Sequence, residues 1–152
     1  ISLTAIFIES PDDSNNSNIT NENTGPTLWT GAATTFNKPD GSNPNLEENQ
    51  DRITENVWIT RENTGGQIFN IAIYNSADKT ESPVGTEWAI GTLEELDNLT
   101  FDYFRNAISR PKTVVGKNLV LHLIEDDIYI YVKFTSWSQG KRGGFSYERS
   151  TP

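Results

Sequence analysis

The sequence predicts a mainly β protein: an antiparallel β-sandwich with one or two short helices and a detached N-terminal strand. Three observations support this fold class. Apolar residues form 34% of the 152-residue chain and fall in short alternating segments, as half-buried strands require. Gly, Asn, Asp and Pro separate these segments, which is typical of turns between strands. The length fits one core, because single domains commonly hold roughly 100–200 residues.

The first residues predict a strand that is separated from the rest of the chain. We divide the chain into an N-terminal strand at residues 1–9, a polar linker at 10–26 and a sandwich domain at 27–152. The linker is rich in Ser, Asn and Thr, and Ile19 is its one large apolar residue, so it cannot form a core. One face of the strand is uniformly apolar, and it consists of Ile1, Leu3, Ala5 and Phe7.

Short strands and turns alternate through the first half of the domain. A first strand is expected within residues 28–36, followed by a turn-rich segment at 37–45. Two alternating segments on either side of a Gly-containing turn at 62–66 predict a hairpin. In the first strand, Val57 and Ile59 share one face and Trp58 points to the other. In the second strand, one face is expected to contain Phe69, Ile71 and Ile73.

Two short helices are expected to interrupt the strands. Thr92 and Glu95 have the spacing of a capping box. Thr100 is placed to cap a second helix that ends before Pro111. The apolar stripe of that helix consists of Phe101, Phe104, Ala107 and Ile108.

The clearest strand pattern is the apolar run at residues 118–134, which predicts a hairpin with a tight turn at Asp126 and Asp127. One face is expected to be core and the other amphipathic. A last strand is predicted at 145–151. The predicted core pairs are Leu123 with Ile130, Leu121 with Val132 and Leu119 with Phe134; the other face pairs Ile124 with Tyr129, His122 with Tyr131 and Val120 with Lys133.

Composition restricts the classes of partner. A formal charge of −9 and a pI near 4.5 would repel a phosphate backbone, and the sequence shows no Lys/Arg stripe, so we expect no nucleic-acid partner. No apolar run approaches the ~20 residues of a membrane helix, so no membrane partner is expected. Because the chain begins at Ile1 rather than Met, we expect a removed signal peptide and a secreted, extracellular or cell-surface protein.

No residue pattern predicts catalysis. His122 lies alone in a predicted strand, and the chain has no Cys and no second His, so neither a triad nor a transition-metal site can be built around it. Glu125, Asp126 and Asp127 fall at a hairpin tip, where carboxylates usually serve turn formation and solubility. We therefore predict no enzymatic activity and no catalytic residues, with His122 as a cross-strand structural residue.

No cofactor is expected, although carboxylates leave a calcium site open, since Ca²⁺ takes oxygen ligands from separate loops. Sugar attachment is open as well, because Asn-x-Ser/Thr spacing occurs in the linker and in the domain. The calcium candidates are Asp40, Asp51, Asp126 and Asp127, and the glycosylation candidates are Asn15, Asn18 and Asn98.

Aromatic residues on strand faces predict a candidate binding face. Exposed rings can form platforms for sugars or partner proteins, so a secreted carbohydrate-binding module is the alternative function. The equally open interpretation is that another sheet, loop or helix covers these rings. The candidates are Trp58, and Tyr129, Tyr131 and Trp137, which strict alternation places on one face.

An apolar strand in water invites pairing with a sheet edge, so residues 1–8 must be covered somewhere. The strand can return to its own sheet, or it can complete a neighbouring copy. The sixteen-residue polar segment at 10–25 spans up to about 50 Å if extended, which favours donation. We therefore expect head-to-tail strand donation, a heterologous contact that grows into a filament. Leu3, Ala5 and Phe7 are expected to point into the acceptor core.

Several motifs resemble an uncharacterised domain that recurs in secreted bacterial surface proteins. The N-terminal residues are similar in kind to the donor strands of bacterial extracellular filament subunits. This resemblance implies a jelly-roll-like sandwich, export and assembly as a fibre or surface layer, and it carries over no catalytic residue. The matching motifs are DRITENVWITR at 51–61, GTEWA at 85–89, LHLIEDDI at 121–128, KFTSW at 133–137 and GGFSYERST at 143–151.

Overall fold

Strands in two sheets dominate the computed structural model, which describes residues 25–152. The mainly β fold class is confirmed, and the arrangement is consistent with a β-sandwich. The predicted N-terminal strand at 1–9 lies outside the described residues. The strands are β1 (Thr27–Trp29), β2 (Thr34–Lys38), β3 (Asp51–Arg52), β4 (Trp58–Glu62), β5 (Gly65–Asn70), β6 (Thr86–Ile90), β7 (Leu119–Leu123), β8 (Ile128–Trp137) and β9 (Phe145–Arg149).

The larger sheet has the order β2-β9-β8-β7-β6, and the smaller has the order β3-β4-β5. All neighbours are antiparallel except β1, which runs parallel to the first residues of β8. The predicted strand within 28–36 is therefore two strands. Between β1 and β2 the chain turns away from β8 at Gly31. The Gly31 N–H donates to Thr151 O at 2.7 Å, and a Cβ at this position would collide with the Pro152 carbonyl.

The predicted β4–β5 and β7–β8 hairpins are both present, with a different register in the second. Leu123 pairs with Ile128 instead of Ile130, and His122 pairs with Tyr129 instead of Tyr131. The reason is a four-residue turn at 124–127, closed by a bond from Asp127 N–H to Ile124 O at 3.2 Å. A shift of two residues keeps every side chain on its predicted face.

The helical segments are shorter than predicted. Thr92 and Glu95 form the expected capping box, but on a 3-10 helix at Leu93–Asn98. The second helix, α1, covers Phe104–Ile108, and Ser109 ends it with a φ of 72°. Phe101 precedes α1 and packs edge-on against Tyr129. The other 3-10 helices are Glu47–Asn49 and Pro111–Thr113.

One apolar core lies between the two sheets and α1. Ile59 and Ile68 from the smaller sheet meet Leu121 and Phe134 from the larger sheet, and Phe104 from α1 closes one side. The strand β5 ends at Asn70. The N–H groups of Ile73 and Tyr74 both donate to Asn70 O, and this turn ends the alternation of buried and exposed side chains. Ile73 is consequently 48% exposed instead of continuing the predicted face.

Candidate functional site

The strand β2 forms one edge of the larger sheet. Within residues 25–152 it pairs with β9 on one side only. Its sequence, TTFNK, contains no proline, and its single charge, on Lys38, is buried and donates to Ser42 O at 2.9 Å. Natural edges are often blunted by prolines, bulges or charged side chains, inward-pointing ones included. The buried Lys38 is of the last kind, and the other four residues of β2 are uncharged. A further strand can therefore add to β2.

The edge at the opposite side of this sheet is occupied. Trp88 of β6 donates its N–H to Asp102 O at 2.8 Å, and the Asp102 N–H donates back to Trp88 O at 2.9 Å. These two bonds use the outward groups that a new strand would need. Strand addition is thus favoured at β2 over β6.

The core of the domain is well buried. All sixteen residues of the core cluster are at most 8% exposed. The expectation that Leu3, Ala5 and Phe7 point into an acceptor core concerns residues outside the described part of the chain and stays a prediction. Any strand addition would have to occur at a sheet edge.

The N-terminal linker enters the domain at the turn between β7 and β8. The Thr27 N–H donates to Asp127 O at 3.1 Å, and β1 then follows β8. The candidate residues Ile1, Leu3, Ala5 and Phe7, with Asn15 and Asn18, lie outside the described residues. Asn98 is exposed at the end of its 3-10 helix, so that sequon is accessible.

The four aromatic candidates do not form one binding face. A register shift between Phe134 and Ser136 of β8 moves Trp137 to the core side, opposite Phe145. The prediction that Trp137 shares a face with Tyr129 and Tyr131 is therefore wrong. A bulge adds one residue to a strand and so reverses its alternation beyond that point.

The remaining rings are partly covered by neighbours. The Arg52 guanidinium lies 4.0 Å from the centre of the Trp58 ring. Tyr129 stacks on His122 with ring centres 4.1 Å apart. Tyr131 is half-buried on the outer face of β8. These contacts leave no continuous aromatic platform among the three residues.

His122 joins two strands and a turn. Its Nδ1 lies 2.7 Å from a Glu87 carboxylate oxygen, and its Nε2 lies 2.9 Å from a carboxylate oxygen of Asp127. Both ring nitrogens can donate only when the imidazole is protonated. The contacts hold β6, β7 and the 124–127 turn together, which agrees with the predicted cross-strand role.

The calcium candidates are engaged separately. Asp126 accepts hydrogen bonds from Thr54 and Asn56, and Asp127 contacts His122. Hydrogen bonding from Ser138 lowers the pKa of Asp40. Within residues 25–152, no three acidic, His or Cys side chains are grouped as metal ligands.

Asp51 belongs to a buried polar cluster that joins the sheets. Its carboxylate accepts from Tyr147 Oη at 2.7 Å and from Arg149 Nε and Nη2 at 2.7 and 3.0 Å. Burial, followed by the negative charge of Asp51, raises the pKa of Tyr147 well above its usual value. This use of Asp51 is structural.

Tyr147 should make stability depend on alkaline pH. Its pKa is higher in the folded than in the unfolded chain, so the stabilisation is complete below pH ~10 and is lost as the pH rises further. We expect Tyr147→Phe to cost about 1–3 kcal/mol at neutral pH. That cost should shrink by about 1.4 kcal/mol per pH unit above 10. Urea unfolding of both proteins between pH 7 and 11 measures it.

The difference in unfolding free energy between wild type and Tyr147→Phe reports on Tyr147 alone. Burial lowers the pKa of Lys38 and of Arg61, the latter to about 10, so both act in the opposite direction in both proteins. They cancel in the difference between wild type and Tyr147→Phe. A difference that stays constant from pH 7 to 11 would contradict the prediction.

None of the helices within residues 25–152 has the length and apolar character of a membrane span. The resemblance to domains of secreted surface proteins stays a prediction. No protein-family model matches the chain, and neither the curated proteins nor the solved structures compared with it gave a match.

Proposed function

We propose that the protein is a structural subunit of a bacterial extracellular filament that polymerises head to tail by strand donation. Residues 1–8 of one copy add to the β2 edge of the next. The supporting observation is that, within residues 25–152, the strand Thr34–Lys38 pairs with another strand on one side only. Backbone hydrogen bonds along this edge would set the register of the added strand.

The donor face has a natural place beside β2. Phe36 is half-buried and packs against Phe145 and Tyr147 on the core side of the sheet, with ring centres 5.7 and 5.9 Å away. The uniformly apolar face of the donor, which includes Leu3 and Phe7, would lie on the same side. Burial of each large side chain contributes about 1.5–3 kcal/mol.

The linker permits donation between copies. Each copy would offer one strand and one edge, so the contact is heterologous and the assembly stays open at both ends. The length of the linker would also allow residues 1–8 to pair with β2 of their own copy, which would give monomers. The oligomeric state of the full chain distinguishes these two outcomes.

The alternative function, a carbohydrate-binding module with an exposed aromatic face, loses its geometric basis. Trp137 faces the core side, and Arg52 lies over the ring of Trp58. We therefore do not propose that face as a binding surface.

The donor side is tested with Phe7→Asp in the full chain. A buried carboxylate opposes pairing of the apolar face, so we expect loss of the high-mass species in light scattering and of fibres in electron microscopy. Thr4→Asp is the matched control, because it adds the same charge on the opposite strand face. Assembly of Phe7→Asp at the wild-type concentration would contradict the proposal.

The acceptor side is tested with the double variant Thr35→Lys, Asn37→Lys. Both positions are exposed on β2, and Thr35 lies opposite Glu148 of β9, so the fold should tolerate the lysines. Charges on an edge strand discourage strand addition. We expect this variant to be unable to accept a strand but still to cap wild-type filament ends through its own donor. Normal growth would exclude β2 as the acceptor.

A further inference from the structure

A basic cleft lies at the end of the sandwich away from the β7–β8 turn. Its walls are the start of β5, the segment after α1 and the loop that follows β8, and its volume is about 500 Å³. This size falls within the range of small-ligand sites, roughly 300–1,000 Å³. None of its lining residues belongs to β2, so the cleft is independent of the strand-donation proposal.

The cleft collects positive charge in an acidic protein. The chain has a formal charge of −9 and 12 Lys and Arg residues. Six of these cations line the cleft, together with no Asp or Glu. The sequence shows no cationic stripe along the chain, and the fold brings these six residues together. The six residues are Arg61, Lys79, Arg105, Arg110, Lys112 and Lys141.

Five of the six cations, all except Arg61, are exposed. None of these five forms an ion pair or a side-chain hydrogen bond within residues 25–152. Elsewhere, Arg52, Arg142 and Arg149 each pair with a carboxylate. Like charges gathered without counter-charges repel one another. An anion between them would relieve that repulsion.

Arg61 lies at the floor of the cleft, and its neighbours hold it in a fixed position. It is 4% exposed, and its Nε and Nη1 donate to Gly66 O and Gly144 O, both at 2.7 Å. Its guanidinium lies 3.9 Å from the centre of the Trp137 ring. These contacts hold the charge in place and cover one face of the indole.

The cleft also offers neutral hydrogen-bonding groups. Gln67 is 4% exposed, and its Nε2 donates to Ser82 O at 2.8 Å. Its Oε1 is buried and has no hydrogen-bond partner among the described residues. Thr64, Ser138 and Gln139 add polar side chains to the wall. Hydroxyl groups of a ligand can pair with the exposed side chains of Thr64 and Gln139.

We infer that this cleft binds acidic sugar units of a polysaccharide, through carboxylate or sulfate groups on the cations and hydroxyls on the neutral side chains. A nucleic acid is the less favoured polyanion. Single strands need aromatic rings on which bases stack, and Arg61 covers the indole of Trp137. A duplex carries one charge per ~1.7 Å, so the acidic surface would repel it more strongly than a polymer with one carboxylate per sugar unit.

The test compares binding of the full chain to polygalacturonate, heparin, neutral dextran and poly(dT) at low salt. We expect tighter binding to an acidic polysaccharide than to dextran or poly(dT), weakened by added salt. The two acidic polymers separate carboxylate from sulfate recognition. The variant Arg110→Gln, Lys112→Gln should weaken binding by at least about tenfold, as expected for lost charge-assisted hydrogen bonds.

The matched control is Asn98→Asp, Asn118→Asp. Both asparagines are exposed and lie outside the cleft, and the control lowers the net charge by the same two units. We expect it to change binding by no more than about twofold. Equal losses in both double variants would overturn the inference, because total charge would then explain them. Binding to poly(dT) above both acidic polysaccharides, or no preference over dextran, would overturn it as well.

Discussion

Replacing Asp51 by alanine is expected to lower the free energy of unfolding by about 3–5 kcal/mol. Asp51 is 7% exposed, and its carboxylate accepts three hydrogen bonds from Tyr147 and Arg149 of β9. Its removal leaves the largely buried Arg149 guanidinium without its counter-charge. Because Asp51 lies on β3 and its partners lie on β9, the two sheets also lose a direct polar connection. Urea denaturation at neutral pH measures the change.

A double substitution of Asp51 and its partner Arg149 tests whether the two residues act as one network. In a double-mutant cycle with Arg149→Ala, the second substitution should cost much less once Asp51 is absent, because residues in one network are not additive. Asp97→Ala is the matched control, since this exposed carboxylate should change stability by less than about 0.5 kcal/mol. A loss below about 1 kcal/mol for Asp51→Ala would show that the cluster does not hold the sheets together.

Trp88→Ala is expected to cost about 3–5 kcal/mol, the usual range for deletion of a buried large aromatic ring. Trp88 is 0% exposed. Its ring meets Phe104 of α1 edge-on at 4.9 Å between centres, and its Nε1 donates to Thr86 Oγ1 at 2.9 Å. Alanine would leave a cavity between β6 and α1, and the Thr86 hydroxyl would keep only its hydrogen bond to Pro83 O.

Two further variants define the cause of that loss. Trp88→Phe keeps part of the ring volume, so its cost should lie below that of alanine. Tyr103→Ala removes a nearby ring that is 47% exposed and should change stability by less than about 0.5 kcal/mol. Thermal unfolding of the three variants measures these differences. Equal effects of Trp88→Ala and Tyr103→Ala would contradict the packing argument.

Local patterns were sufficient for most strands but not for their pairing. Alternation placed Leu119, Leu121 and Leu123 on the buried face, and all three are 0% exposed. The turn length decided the register, since four residues rather than two separate the paired positions. A two-residue error preserves the faces, which is why the predicted core survived a wrong register.

Trp137 shows where alternation misleads. Counting by two from Tyr129 puts Trp137 on the outer face, whereas the irregularity between Phe134 and Ser136 turns it inward over Phe104 and Phe145. No residue in that stretch signals a bulge, because the bulge depends on how β9 pairs with β8. The hypothesis of an aromatic binding face depended on assigning Trp137 to the outer face of β8.

By itself, the sequence determined the strand-rich class, the positions of most strands and the separation of an apolar N-terminal segment by a polar linker. These are local properties, set by the alternation of side chains and by turn residues. The tertiary structure alone decided that β2 is an end strand of the larger sheet within residues 25–152 and that cations distant in sequence, such as Arg61 and Lys141, share one cleft. Strand order and loop packing bring these residues together, and contacts over such separations leave no periodic signal in the chain.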